Sequence, residues 1–464
     1  MIGRLAEQDT LRRAAESDES EFVAIYGRRR VGKTYLVRET FDGEFTFAHS
    51  GVAREGLVRQ LQAFRISLME FGHARCPRLT NWLDAFAELK KVIAWSSVPK
   101  KVVFIDEMPW MDTPRSGFVS ALEHFWNSWA SARKDVLLIV CGSATSWIIE
   151  KVLKDRGGLH GRITEQIALA PFTLRECEEY ARSRGLEWTR RQIAEMYMVF
   201  GGVPYYWRHL RRGLGVAQNI DALFFAENGL LRDEFGELYS SLFKNKEPYI
   251  AIVTALASRL SGMDREMIVR NVPMADGGRL SSYLEELRQC GFVRSFRSFT
   301  GKSRDAVFVL SDAFSLFHFK FLASNVRREP GFWTRTLDTA AHDSWMGGAF
   351  ERICLSHDRQ IKTALGIGGV AASVRSWRGA DAQIDMIIDR SDGIVDICEM
   401  KYTREPYALD EREWQAIERR KAAFRAASKT KKAIHVVMVA AAGLRRNSWS
   451  GEVQYVLTLD DLFS

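Results

Sequence analysis

The stretch Gly27-Arg28-Arg29-Arg30-Val31-Gly32-Lys33-Thr34 constrains this chain more than any other. It follows the apolar, β-type run Phe22-Val23-Ala24-Ile25-Tyr26 and leads into Tyr35-Leu36-Val37-Arg38-Glu39, which reads as helix. Strand, glycine-bounded loop and helix, in that order, are the context that the pattern G-x-x-x-x-G-K-[ST] requires. Glycines let backbone N–H groups turn inward onto phosphate oxygens, and the helix N-terminus adds its partial positive charge. The eight residues Gly27, Arg28, Arg29, Arg30, Val31, Gly32, Lys33 and Thr34 are therefore expected to cradle a nucleoside triphosphate. Lys33 would bridge the β- and γ-phosphates, and the Thr34 hydroxyl would ligate Mg²⁺.

Two further apolar runs carry polar residues at their ends. Lys101-Val102-Val103-Phe104-Ile105-Asp106-Glu107 reads as a buried parallel-type strand that finishes on two carboxylates. In a doubly wound sheet such a strand delivers its C-terminal residues beside the phosphate loop. Asp106 would then hold Mg²⁺ through water, and Glu107 would act as general base on the attacking water. Without the loop upstream, the pair would read as two solvated acids capping a strand. Asp135-Val136-Leu137-Leu138-Ile139-Val140-Cys141 runs into Gly142-Ser143-Ala144-Thr145. Ser143 is placed to sense the γ-phosphate or its water, or to N-cap a helix over Thr145–Val152. The two roles are compatible.

At 464 residues the chain exceeds one core, and about 150 residues per domain suggests three or four domains. Its 46% apolar and 27% charged residues are those of an ordinary globular protein. No stretch approaches the roughly 20 apolar residues of a membrane span, and Met1-Ile2-Gly3-Arg4-Leu5-Ala6-Glu7 lacks the apolar core of a signal peptide. The cysteines at 76, 141, 177, 290, 354 and 398 form no C-x-x-C pair, so neither a metal knuckle nor a disulfide framework is expected. A reducing cytoplasm is the expected location. A net charge of +8 and a pI near 9.1 suit an anionic partner or a merely solvated basic surface equally well.

The phosphate loop with its Arg triplet, Phe104-Ile105-Asp106-Glu107, Cys141-Gly142-Ser143, Leu159-His160-Gly161-Arg162 and Gly201-Gly202-Val203-Pro204 follow one another in an order that resembles the archaeal-type ATPase family. That family is a branch of the AAA+-related STAND NTPases also found in bacteria. The resemblance covers roughly residues 1–240 and implies an α/β P-loop NTPase core with a helical lid, binding ATP and Mg²⁺. It implies that Gly202 and Pro204 sit against the bound nucleotide. Arg162, with Arg156 as a nearby rival, would neutralise charge developing on the γ-phosphate, in cis or from a neighbouring subunit. Surface salt bridges are the alternative for both arginines.

Residues 172–240 look helical, over Leu174–Gly185, Arg190–Phe200, Pro204–Arg211 and Ile220–Ser241. Apolar-faced helices over Pro248–Leu260, Asp264–Asn271 and Gly278–Gln289 precede two β-runs joined by the basic turn Gly301-Lys302-Ser303-Arg304. Three helices and a ribbon describe a winged helix-turn-helix. Arg279 and its neighbours would face a groove, and Arg297, Lys302 and Arg304 would reach phosphates. Packing against a neighbouring domain is the alternative. Phe314–Phe321 adds an aromatic helix.

Beyond Arg327-Arg328-Glu329-Pro330-Gly331 comes an α-β-β-β-α-β order: a helix over Ser344–His357, β-runs over Val370–Trp377, Gln383–Asp389 and Gly393–Lys401, a charged helix from Asp410, and a strand over Ala433–Ala440. With Asp385 and then Glu399-x-Lys401, this order resembles the PD-(D/E)XK nuclease superfamily. It is most similar to the domain of unknown function that ends many archaeal-type ATPases. Glu399 and Lys401 lie two apart on a strand and share a face. Asp385 and Glu399 would converge on one Mg²⁺, Lys401 would orient or deprotonate the attacking water, and Glu351 matches the superfamily's first-helix acid as a further ligand. Ile384 stands where the superfamily has proline, which removes no ligand. A salt-bridged, inactive fold is the alternative. The expected divisions are an ATPase core over 1–171, a lid over 172–243, a winged helix over 244–328 and a restriction-endonuclease-like α/β domain over 329–464. DNA is the expected partner, with a second copy or another protein possible. The rival expectation is a signalling ATPase whose winged helix and tail are interaction scaffolds.

Overall fold

Phe22, Val23, Ala24 and Ile25 form the centre of strand β1 (Glu21–Tyr26), each with no exposed surface. A strand buried on both faces belongs in a parallel sheet covered by helices. β1 lies in such a sheet with β2 (Phe47–Ser50), β3 (Lys101–Asp106), β4 (Val136–Gly142) and β5 (Glu165–Ala168). The order is β2-β3-β4-β1-β5, and every neighbouring pair is parallel. Alternate side chains feed opposite cores. Phe22, Ala24, Val103, Ile105, Leu138 and Val140 pack under the helices Leu57–Glu70, Trp82–Trp95 and Phe118–Ser128. Val23, Ile25, Val102, Phe104, Leu137 and Ile139 pack with Leu11 and Leu36 of Leu5–Glu16 and Lys33–Thr40. The registers Tyr26↔Gly142 and Ile105↔Val140 bring the C-terminal ends of β1, β3 and β4 to one edge. β2 and β5 have four residues each and no clear apolar run, so they do not stand out in the sequence.

This computed structural model describes residues 1–464 except 144, 154–158, 160, 244, 273–277, 300–305, 326–328 and 380–381. They divide into two units, Met1–Pro171 and Phe172–Ser464.

In the second unit, capping boxes at Thr173 and Thr189 start the helices Leu174–Ser183 and Arg190–Phe200. The helix expected over Ile220–Ser241 is interrupted. Val216–Ile220 passes into a π-turn over Asp221–Phe225, and regular helix resumes only at Glu234. The Asp221 carboxylate there accepts from the Trp333 and Thr334 N–H groups, at 2.8 and 3.0 Å, satisfying the start of the short helix Phe332–Thr336. Likewise the aromatic helix is regular over Ala313–Phe317 and a π-turn over His318–Leu322.

Helices Glu247–Ala257, Arg265–Asn271 and Gly278–Gln289 precede the antiparallel pair β6 (Val293–Arg297) and β7 (Ala306–Leu310). The turn with Lys302 and Arg304 lies outside the described residues. Next comes a mixed sheet of β8 (Ala372–Arg378), β9 (Gln383–Arg390), β10 (Ile394–Lys401), β11 (Ala433–Ala440) and β12 (Tyr455–Leu457), in the order β12-β11-β10-β9-β8. β8, β9 and β10 pair antiparallel, whereas β10, β11 and β12 pair parallel. Glu411–Ser428 supplies the crossover helix that a parallel β10–β11 pair needs.

The ribbon and this sheet meet directly. The Phe299 N–H donates to the Ser376 carbonyl at 2.9 Å, and the Phe299 ring packs on Phe424 in the core that also holds Trp377 and Ile384. One continuous cluster of buried side chains runs from Phe172 to Phe463. Among the described residues no helix is long and apolar enough to cross a membrane.

Candidate functional site

The loop after β1 depends on backbone that few residues adopt. Gly27 has φ 144°, and a Cβ there would lie 2.3 Å from the Leu169 carbonyl oxygen. Gly32 has φ 94°, and Arg30 takes a left-handed φ of 71° without being glycine. Arg28 is buried, Arg29 and Arg30 are half-buried, and Val31 belongs to the core. Lys33 opens the following helix. Its Nζ donates to the carbonyls of Gly27 at 2.9 Å and Arg28 at 3.1 Å. The ammonium is thus held over its own loop by neutral acceptors, which phosphate oxygens would replace with stronger, charge-assisted bonds.

Thr34, one residue on, donates its hydroxyl to Asp106 Oδ2 at 2.7 Å. Asp106 Oδ1 accepts from the Glu107 N–H at 2.8 Å and from Cys141 Sγ at 2.5 Å. Burial, and then the Asp106 charge, hold the Cys141 thiol protonated. Cys141 was not singled out by sequence reasoning. The available signal was its place at the end of β4, one step past the Ile105↔Val140 pair and hence beside Asp106.

Glu107 takes φ 49°, a left-handed conformation that costs a non-glycine residue roughly 1–3 kcal/mol and is characteristic of functional sites. Its Oε2 accepts from both the N–H of Ser143, at 3.1 Å, and the Ser143 hydroxyl, at 2.9 Å. The hydroxyl is therefore committed to Glu107. Arg162 is exposed, its N–H closing a turn onto Leu159, and Arg156 lies outside the described residues. The donor set suits Mg²⁺, since Thr34 and Asp106 offer hard oxygens 2.7 Å apart.

In the second unit, Gly202 accepts the Phe172 N–H at 2.7 Å, and a Cβ on Gly202 would lie 1.8 Å from the Phe172 carbonyl oxygen. Pro204 occupies the first position of the helix Pro204–Trp207, where its missing N–H costs nothing.

The β9–β10 ladder runs to Met386↔Cys398, so Asp385 and Glu399 are the next residues beyond it. Glu351 lies on the helix Ala340–Ser356, which packs on β10. Burial, and then the charges of Asp385 and Glu399, push the Glu351 carboxyl up to about 7. Glu399 is also raised by burial, although Arg420 pairs with it at 2.8 Å. Lys401 donates to Glu413 at 3.2 Å and lies over the Tyr407 ring. Asp385 accepts from Gln383. The three acids are thus within electrostatic reach of one another. Among the described residues, however, no group of three His, Cys, Asp or Glu is gathered closely enough to hold a metal ion. The charged helix Glu411–Ser428, whose more usual reading from sequence is a solvated face, turns Glu413 and Arg420 toward Lys401 and Glu399 of β10.

Residues 2–210 match the family described as an ATPase domain predominantly from Archaea. This part of the chain is similar to archaeal-type ATPase domains. It spans the phosphate loop, Asp106, Glu107, Ser143 and Arg162 and extends through Gly202 and Pro204. An uncharacterized protein of Methanocaldococcus jannaschii is 24% identical over 391 residues, covering 83% of each chain. A Walker-type ATPase of Pyrococcus abyssi overlays with a TM-score of 0.50 at 16% identity, covering 69% of this chain and 96% of that one. At that identity the likeness is one of fold, and it agrees with the parallel sheet that carries the ATPase domain's phosphate loop.

Proposed function

We propose that the chain is an Mg²⁺-dependent ATP hydrolase that works as a switch or motor on DNA. The observation that carries the hydrolase reading is the meeting of Lys33, Thr34, Asp106, Glu107 and Ser143 at the ends of β1, β3 and β4. Lys33 and the N–H groups of Gly27–Thr34 bind the phosphates. Thr34, and Asp106 through water, would hold the ion, which when bound would supply charge neutralisation on the phosphates. Glu107 draws the proton from the attacking water. Ser143 sets the orientation of Glu107, and Arg162, being exposed, is available to a γ-phosphate. The test is Mg²⁺-dependent hydrolysis by the purified chain with and without DNA. A chain that neither binds nor hydrolyses any nucleoside triphosphate overturns this reading.

For the remainder, the reading divides the chain into a lid over 172–243, a winged helix over 244–328 and a PD-(D/E)XK-like domain over 329–464. Three helices followed by an antiparallel pair support the second division. The mixed sheet, with Asp385 and Glu399 just beyond a ladder end, supports the third. In that reading Glu351, Asp385 and Glu399 would be the acidic ligands and would have to draw closer together than they lie here to share an ion, and Lys401 would serve the nucleophile. Cleavage of DNA with Mg²⁺ or Mn²⁺ that is lost in Asp385→Ala and Glu399→Ala tests that module. A second reading is favoured by the Glu399–Arg420 and Lys401–Glu413 pairs, which occupy the groups that cleavage needs. In it the tail is an inactive scaffold of a signalling ATPase. ATP hydrolysis stimulated by a protein partner and not by DNA would select it.

A further inference from the structure

The turn that carries Glu107 is hemmed in on both sides. Glu107 leads into the short helix Met108–Met111, where the Trp110 N–H donates to the Glu107 carbonyl at 3.1 Å. On the β2 side the Gly51 N–H donates to the Asp106 carbonyl at 3.0 Å, and a Cβ on Gly51 would lie 2.5 Å from the Glu107 carbonyl oxygen. On the β4 side a Cβ on Gly142 would lie 2.6 Å from Pro109 Cδ. A further hold comes from Gln60, on the helix Leu57–Glu70, which has no exposed surface. Its Nε2 donates to the Val52 carbonyl at 2.6 Å and the Trp110 carbonyl at 2.9 Å, with the Glu55 carbonyl at 3.3 Å. Its Oε1 accepts the Val52 N–H at 3.0 Å.

The other buried side chains of that helix include the apolar Leu61, Phe64 and Leu68. An amide buried among them is costly unless its polar atoms are bonded. Those of Gln60 are bonded, and every partner is a backbone group of the loops that follow β2 and β3. The network also fixes which way the amide points, since the reverse orientation would set its oxygen against three carbonyls. The left-handed backbone of Glu107, at φ 49°, persists only where its surroundings over-determine it. Ser143 grips the Glu107 carboxylate but leaves the main chain of the turn unheld. Gln60 fastens that main chain, joining Trp110 to the segment whose Gly51 packs on the Glu107 carbonyl.

We infer that Gln60 is a positioning residue for Glu107: by tying the segment after β2 to the turn after β3, it holds the Glu107 carboxylate where it meets the attacking water. The inference rests on the reading of Glu107 as the general base of ATP hydrolysis, and it adds a residue from a helix outside the phosphate loop and the strand ends. Its hydrogen-bond partners include no residue of the phosphate loop, so turnover and not ATP affinity is what it sets. A role confined to folding would lower stability and leave the turnover of the folded chain intact.

The experiment uses the full chain and measures kcat for Mg²⁺-dependent ATP hydrolysis beside the ATP dissociation constant from isothermal titration. Gln60→Met keeps the length of the side chain and removes the amide, and circular dichroism checks that it folds. It is made in the wild-type background and in Glu107→Gln, whose residual rate is read by single-turnover phosphate release. The expected result is kcat lower by about tenfold with affinity within about twofold, because a general base contributes roughly 10²–10⁴-fold and here only its orientation is lost. In the Glu107→Gln background the same change should cost less than about twofold, since the group through which Gln60 acts is already gone. Unchanged kcat in the folded variant overturns the inference. So does a fall in affinity without a fall in kcat, or an equal loss of kcat in both backgrounds, which would mark a general disturbance. If Gln60→Met does not fold, Gln60→Asn, with its amide one methylene short of Trp110, is judged by the same two comparisons. If neither folds, Gln60 is a folding residue and the inference is overturned. A wild-type chain without hydrolysis overturns the hydrolase reading and this inference with it, whereas a hydrolysing chain indifferent to Gln60 overturns this inference alone.

Discussion

Asp106 permits a prediction in which stability and activity separate. Its carboxylate takes the Thr34 hydroxyl, the Glu107 N–H and the Cys141 thiol, and it is 5% exposed. Asp106→Ala leaves all three donors without an acceptor. A thiol is a weak donor and contributes little. The Thr34 hydroxyl is only half-buried and regains water at partial cost. The Glu107 N–H, in a strained turn, bears the full penalty. At about 1–3 kcal/mol for a buried unsatisfied donor, the expected destabilisation of the first unit is roughly 2–4 kcal/mol. Asp106→Asn keeps Oδ1 as acceptor for Glu107 and Cys141, and its Nδ2 donates to the Thr34 oxygen instead. Its stability should lie within about 1 kcal/mol of wild type.

Activity should not follow that order. Both variants lose the anionic oxygen that faces Thr34, so Mg²⁺-dependent hydrolysis should fall at least tenfold in both. Because the chain holds two units, global unfolding need not be two-state. Hydrogen exchange of peptides from β3 and β4, beside steady-state ATP hydrolysis, is therefore the assay. Asn at 106 with wild-type hydrolysis would refute the metal-holding role. Asn with exchange as fast as Ala would refute the donor accounting.

Lys33→Ala should weaken ATP binding at least tenfold, whereas Glu107→Gln should bind nearly normally and hydrolyse at least tenfold more slowly, as read by isothermal titration and by phosphate release. Gly27→Ala should abolish nucleotide binding even where the chain folds, because the new Cβ meets the Leu169 carbonyl; binding at wild-type affinity would show that the loop can shift aside. His357 accepts the Leu174 N–H on Nε2 while burial lowers its pKa from 6.5 to about 4. Between those pH values the unfolded chain binds more protons, so stability present above pH 6.5 is lost as pH falls, by roughly 2 kcal/mol from pH 7 to 5. His357→Gln should remove that component from denaturant midpoints, and an undiminished pH dependence in the variant would refute the assignment.

The candidate site of the first unit was legible because its parts are local. The phosphate loop is eight consecutive residues, and Asp106-Glu107 and Ser143 sit where apolar runs stop. A run buried on both faces has few ways to pair other than as a parallel strand, and parallel strands end together. Sequence could therefore name Lys33, Thr34, Asp106, Glu107 and Ser143 before any coordinates. It could not say that Ser143 gives both its N–H and its hydroxyl to Glu107, or that Cys141 bonds Asp106, because those bonds depend on the register between β3 and β4.

In the tail the balance reverses. The order of elements and the spacing of Glu399 and Lys401 were visible, since strand periodicity is local. The partners were not: Arg420 and Glu413 come from a crossover helix, and Arg378 answers to Ser261 more than a hundred residues earlier. Sequence determined which residues carry charge at each strand end. Only the tertiary structure decided which opposite charge reaches them, because long flexible side chains pair with whatever the packing of distant segments brings within a few ångströms.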